Sequence, residues 1–89
     1  MLQLRPGCEC CDTDLPGDSG DAYICSFECT FCARCTLDTL KGKCPNCGGE
    51  LMRRPRRMLE KLQMYPASTE RVFKPEGCGK RVGGKSTLP

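Results

Sequence analysis

Eight of the ten cysteines lie between Cys8 and Cys47 as four close pairs: Cys8/Cys11, Cys25/Cys29, Cys32/Cys35 and Cys44/Cys47. The chain contains no histidine. Eight thiols complete two tetrahedral sites of four cysteines each, and zinc is the ion that most often closes such sites. A Cys-x-x-Cys turn suits a tetrahedral ion because both sulfurs reach one metal while backbone N–H groups point at the thiolates and offset their charge. One such pair is a weak signal. Three of them plus Cys25-x3-Cys29 within 40 residues are a strong one. The expected cofactor is therefore two Zn²⁺.

The pairs can combine in two ways. A sequential arrangement groups Cys8, Cys11, Cys25 and Cys29, then Cys32, Cys35, Cys44 and Cys47. An interleaved arrangement groups Cys8, Cys11, Cys32 and Cys35 as site 1 and Cys25, Cys29, Cys44 and Cys47 as site 2. Interleaving is favoured: its connections are longer, and it places Cys32 and Cys35 at the start of an expected helix, where the positive dipole end favours thiolates. Cys10 and Cys78 are left over and read as incidental thiols.

A chain of 89 residues without tryptophan buries little apolar surface, so hydrophobic burial alone is marginal. Structural zinc supplies on the order of 10 kcal/mol or more of folding free energy. A disulfide scaffold is the usual alternative for small cysteine-dense chains. The start, Met1 to Cys8, carries no apolar run of signal-peptide length, and no stretch approaches membrane-spanning length. The expectation is a cytoplasmic chain whose reduced thiols bind metal.

The net charge of +3 hides a split. Residues 1–50 carry four Lys/Arg against eight carboxylates, a net −4, and residues 51–89 carry ten Lys/Arg against three carboxylates, a net +7. Eight thiolates holding two Zn²⁺ would make the first half more negative still. A basic isoelectric point alone is therefore no argument for nucleic-acid binding.

Three regions follow. Residues 1–51 form the two-zinc module, 52–73 a basic linker and short helix, and 74–89 a flexible tail. Within the module, Asp12 to Asp21 is a turn-rich loop. Ala22 to Phe27 reads as a strand with Tyr23, Cys25 and Phe27 on one face. A helix is expected from Ala33 to Lys41, with Leu37 and Leu40 on one face and Gly42 as its C-terminal cap. Beyond Met52, the run Arg53-Arg54-Pro55-Arg56-Arg57 precedes an expected helix over 56–64 with Met58, Leu59 and Leu62 as its apolar stripe.

The spacing resembles the cross-brace of RING-type domains, whose last ligand pair is likewise a Cys-Pro-x-Cys turn, here Cys44-Pro45-Asn46-Cys47. This implies a small metal-stabilised α+β fold, RING-like or treble-clef-like, with one short hairpin and a short helix. The partner-binding features differ: RING ubiquitin ligases usually place histidine at the position of Cys29, an apolar residue where Glu9 and Cys10 stand, and often a basic residue at Gly48. The residues themselves resemble a family of short bacterial cysteine-rich proteins of unknown function. The matching stretches are Leu4-Arg5-Pro6 with Cys8 and Cys11, Ile24 to Cys32, Cys44 to Gly49, and Tyr65 to Val72. This resemblance spans about residues 1–75. It implies a bacterial cytoplasmic zinc protein and carries no known activity.

Catalytic zinc needs an open coordination position, which four thiolates do not leave. The expectation is a non-enzymatic interaction module. The rival is an iron-binding, thiol-redox or metal-handling protein, because soft tetrahedral sites also accept iron. Cys29-x2-Cys32-x2-Cys35 imitates a ferredoxin run, but the fourth position is Thr39. A protein partner is expected, with nucleic acid or another polyanion as an alternative through Arg53, Arg54, Arg56, Arg57 and Lys61, extended by Arg71. No membrane is expected to be involved.

Overall fold

The computed structural model describes residues 1–74 and Cys78. Three short strands form one antiparallel sheet: β1 (Ala22–Ile24), β2 (Thr30–Cys32) and β3 (Met52–Arg53), in the order β2-β1-β3. β1 and β2 make a hairpin with Tyr23 opposite Phe31 and Ile24 opposite Thr30. β3 joins the other edge of β1, with Met52 opposite Ile24 and Arg53 opposite Tyr23.

The strand expected over 22–27 stops at Ile24, because Cys25 to Cys29 is the hairpin turn. Glu28 N–H donates to the Cys25 carbonyl at 3.0 Å, and Glu28 itself takes a left-handed φ of 65°. The turn throws Phe27 outward, 70% exposed, so it does not share a buried face with Cys25. β3 also changes the expected boundary after residue 51, since Met52 and Arg53 belong to the sheet and not to a linker.

The chain leaves β2 into a π-helix over Cys35–Thr39. Leu40 N–H donates to Cys35 O at 2.8 Å, five residues back. In such a wide turn, residues five apart stack on one another. Leu40 therefore rests against the core beside Cys35, while Leu37 turns to solvent at 60% exposure. The expected Leu37/Leu40 face is corrected on this ground. The helix ends at Lys41 and Gly42, both at positive φ, and Gly42 N–H donates to Thr36 O at 2.8 Å. Glycine adopts that left-handed conformation without a Cβ clash.

The core is small. Leu15, Ala22, Phe31 and Leu51 are buried together with Cys8, Cys10, Cys25, Cys32, Cys35, Cys44 and Cys78, and Phe31 is the one aromatic ring fully inside among the described residues. The expected helix over 56–64 shrinks to one turn, α1 (Leu59–Leu62), with no buried residue. Met58 and Leu59 face solvent. Leu62 alone turns inward, and its methyl would stand 2.8 Å from a Cβ at Gly17. A side chain at Gly17 would push it out.

From Ser68 the chain runs back along the amino-terminal segment. Ser68 N–H donates to Gln3 O and Lys74 N–H to Glu9 O, both at 2.8 Å. Of the tail expected over 74–89, Lys74 and Cys78 are held in the fold and the remaining residues lie outside those described. No helix among the described residues is long and apolar enough to cross a membrane.

Candidate metal centre

Two Cys-x-x-Cys turns are built alike. In the first, Cys10 N–H points at Cys8 Sγ at 3.4 Å, and Asp12 N–H donates to Cys8 O at 2.8 Å with Asp12 at φ 63°. In the last, Asn46 N–H points at Cys44 Sγ at 3.4 Å, and Gly48 N–H donates to Cys44 O at 2.9 Å with Gly48 at φ 78°. Each turn tips a miniature ladder, closed by the bridges Gly7–Asp14 and Lys43–Glu50. The left-handed residue after the second cysteine is Gly in one turn and Asp in the other, two of the residue types that tolerate this conformation. The remaining pairs use the hairpin turn, where Phe27 N–H points at Cys25 Sγ at 3.3 Å, and the helix start, where Cys35 N–H points at Cys32 Sγ at 3.5 Å.

The fold brings the sulfurs of Cys8, Cys11, Cys32 and Cys35 within 4.8 Å of one another, and likewise those of Cys25, Cys44 and Cys47. The grouping is interleaved, because β2 pairs with β1 and so carries Cys32 back to the first turn. A tetrahedral ion with metal–sulfur bonds of about 2.3 Å has sulfur–sulfur edges of about 3.8 Å. Cys11 Sγ and Cys32 Sγ lie 3.7 Å apart, one such edge already at its required length. The first cluster thus has the four donors of a closed four-thiolate site, one pair of them already at its spacing. Cys29 stands outside the tight second group. It faces Cys25 Sγ and the Asn46 amide at the rim of that group.

Burial and mutual repulsion hold several of these thiols in the protonated form. Burial pushes Cys44 up to about 12 despite N–H groups from Cys47 and Asn46 that favour its thiolate. Burial and the neighbouring Cys32 and Cys8 sulfurs raise Cys35 as well. Cys11 goes the other way. Burial there is outweighed by donors from Thr13, Cys8 and Cys32, which bring it to about 6. A buried cluster of unlike thiols that repel one another as anions becomes favourable once a cation neutralises them.

The basic run does a different job from the one expected of it. Arg54 is 2% exposed and donates to three backbone carbonyls: Arg5 O at 3.0 Å, Leu15 O at 3.2 Å and Pro16 O at 3.0 Å. It is walled off from any phosphate, so it is removed from the expected polyanion-binding set. Arg53 reaches Gly20 O, Arg56 reaches Asp18 O, and Arg57 spans Tyr65 O and Leu2 O. Arg53, Arg54 and Arg56 tie the turn-rich 15–20 loop to β3 and its extension, and Arg57 ties that extension to the amino-terminal segment. Lys61 stays exposed on α1. Arg71 pairs with Asp12 and Asp14 beside the first cysteine turn, at 3.1 and 2.9 Å, which puts it in an ion pair and not in an extended basic patch.

Cys10 and Cys78 are not incidental. They form a disulfide, with Cα atoms 5.7 Å apart, while the eight paired cysteines are free thiols. Both partners are buried. Their sequence separation of 68 hides the pairing, since nothing local marks it. Glu9 and Asn46 are further residues that spacing does not single out. Their only signal is position, one inside each of the two matching cysteine turns.

A three-stranded sheet with two clusters of cysteine sulfurs, each able to hold a metal ion, defines a small cysteine-rich domain. The chain belongs to the family described as "Protein of unknown function (DUF1272)", whose match covers residues 1–57. That stretch holds both clusters and the whole arginine run. An uncharacterised protein of Rhizobium meliloti (strain 1021) is 69% identical over 78 residues, 88% of this chain and 93% of that protein. No solved structure matches.

Proposed function

We propose that the chain is a two-zinc, non-enzymatic module that recruits a protein partner. The observation that carries this is the interleaved pair of sulfur clusters at N–H-lined turns, a donor set suited to structural zinc. Zinc would be held by Cys8, Cys11, Cys32 and Cys35 at one site, and by Cys25, Cys44, Cys47 and Cys29 at the other, with Cys29 moving in from the rim. The ions would supply cross-linking where the apolar core is thin.

The partner surface is argued from what the fold leaves outside. A cavity of about 530 Å³ opens beside the second cluster, lined by Ile24, Cys25, Met52 and Pro55 together with Ser26, Glu50 and Arg53. Met52 is 59% exposed there, and Phe27, in the neighbouring turn, is also exposed. Large exposed apolar side chains beside a rigid turn favour a protein surface over nucleic acid, the more so because the arginines are engaged with carbonyls.

The same thiolate set also accepts iron, so metal identity is the first test. Purified without added metal, the protein should carry about two zinc per chain and be colourless. Visible absorption bands with bound iron would overturn the zinc reading. For recruitment, the double variant Phe27→Ser/Met52→Ser should lose a partner that the wild-type chain retains, at unchanged metal content. Equal recovery would count against this surface.

A further inference from the structure

Glu9 is the one buried carboxylate among the described residues, 1% exposed, and it belongs to neither sulfur cluster. Its backbone lies between Cys8 and Cys11, in the first cysteine turn. Its side chain reaches the other cluster: Oε1 accepts from Asn46 Nδ2 at 2.9 Å, and Asn46 lies between Cys44 and Cys47. Oε2 accepts from Thr30 N–H at 3.2 Å, in the two-residue link between Cys29 and Cys32, and lies 3.4 Å from Arg5 Nη1. Asn46 in turn faces Cys29, the thiol at the rim of the second cluster.

This one carboxylate therefore has hydrogen-bond partners in the second turn and in the strand that separates the two ligand sets. A buried carboxylate is tolerated only when its oxygens are paired. The Asn46 donor is in place only when the last cysteine turn has its folded shape. The Glu9 acceptor is in place only when the first has its own. Thr30 ties both to the two-residue link between Cys29 and Cys32.

We infer that Glu9, acting through Asn46, couples the two metal sites, so that filling one organises the ligands of the other. This rests on the two-site metal reading above. Glu9 and Asn46 are positioning residues that do not ligate the metal themselves. Outer partners of this kind change metal affinity by about 10- to 100-fold when removed. The weakening should fall on the second site, because Asn46 stands between two of its thiols, Cys44 and Cys47.

The test is native mass spectrometry of the full chain titrated with Zn²⁺. At one equivalent, the wild type should show metal-free and two-zinc chains with little one-zinc species. In Glu9→Gln the bridge loses its charged acceptor and keeps a neutral one only if the Asn46 amide turns over to accept, so the one-zinc species should rise above the wild-type level. Asn46→Ala removes the same bridge from an exposed position and should do likewise even if Glu9→Gln folds poorly. The double variant should be no worse than either single one, since both remove one shared contact. With Co²⁺ at saturation, each variant should keep the wild-type visible spectrum, which a general loss of structure would not. A wild-type distribution in Asn46→Ala would overturn the coupling while leaving the metal reading intact, and so would additive effects in the double variant. A wild-type chain that binds no zinc would overturn both.

Discussion

Arg54 shows how one residue can look functional in sequence and be architectural in space. Inside a run of four arginines it invites a reading as a phosphate contact. In the fold it is the largest fully buried side chain among the described residues, holding the carbonyls of Arg5, Leu15 and Pro16. Hydrogen bonds from a charged donor are worth about 1.5–3 kcal/mol each, and an unmet buried acceptor costs about as much. Arg54→Ala should therefore destabilise the metal-loaded chain by about 3 kcal/mol, measured by thermal unfolding. Arg54→Lys should recover only part of this, because an ammonium cannot span three carbonyls as a planar fork does. A wild-type melting temperature in Arg54→Ala would show that the loop is held by other contacts.

Among the elements, the cysteine turns do the structural work that longer strands and helices do elsewhere. The strands are two or three residues long, and the helices are single turns. The first and last of these turns are fixed by N–H···S contacts and by a left-handed residue after the second cysteine. At Gly48 nothing lies within 4 Å of an added Cβ, so substitution there is a conformational change without a steric one. Gly48→Ala should cost about 1–2 kcal/mol of stability, read from denaturant unfolding of the zinc-loaded protein. An unchanged midpoint would mean that the turn does not require φ 78° in solution. The turns were legible in sequence because metal ligation demands local spacing. The helix expected over 56–64 shortens for the complementary reason: its apolar stripe satisfies the period of a helix, but no surface among the described residues covers Met58 and Leu59.

On the scale of the whole molecule, contacts between distant cysteines supplement a thin core. Two interleaved clusters join residues 8–47, and the Cys10–Cys78 disulfide joins the end of the described chain to the first turn. Removing metal with a strong chelator should abolish the circular-dichroism signal of the fold and not merely lower its melting temperature, because the apolar interior is too small to persist alone. Cys78→Ser should leave metal stoichiometry unchanged and lower the stability of the oxidised, metal-loaded chain by about 2 kcal/mol. That is the low end for a long loop, because the metal sites already restrict the unfolded state. Identical stability with and without the substitution would show that this bond contributes nothing to the fold.

By itself the sequence determined the four close cysteine pairs, the positions of the cysteine turns and the Gly42 cap, because each depends on residues a few positions apart. Its charge split and arginine run were visible too, but not their use. Only the tertiary structure decided which pairs share a cluster, since that follows from β2 folding back on β1. It also decided that Arg54 turns inward, that Glu9 bridges to Asn46 across 37 residues, and that Cys10 meets Cys78. Those contacts join segments far apart in the chain, and local spacing carries no record of them.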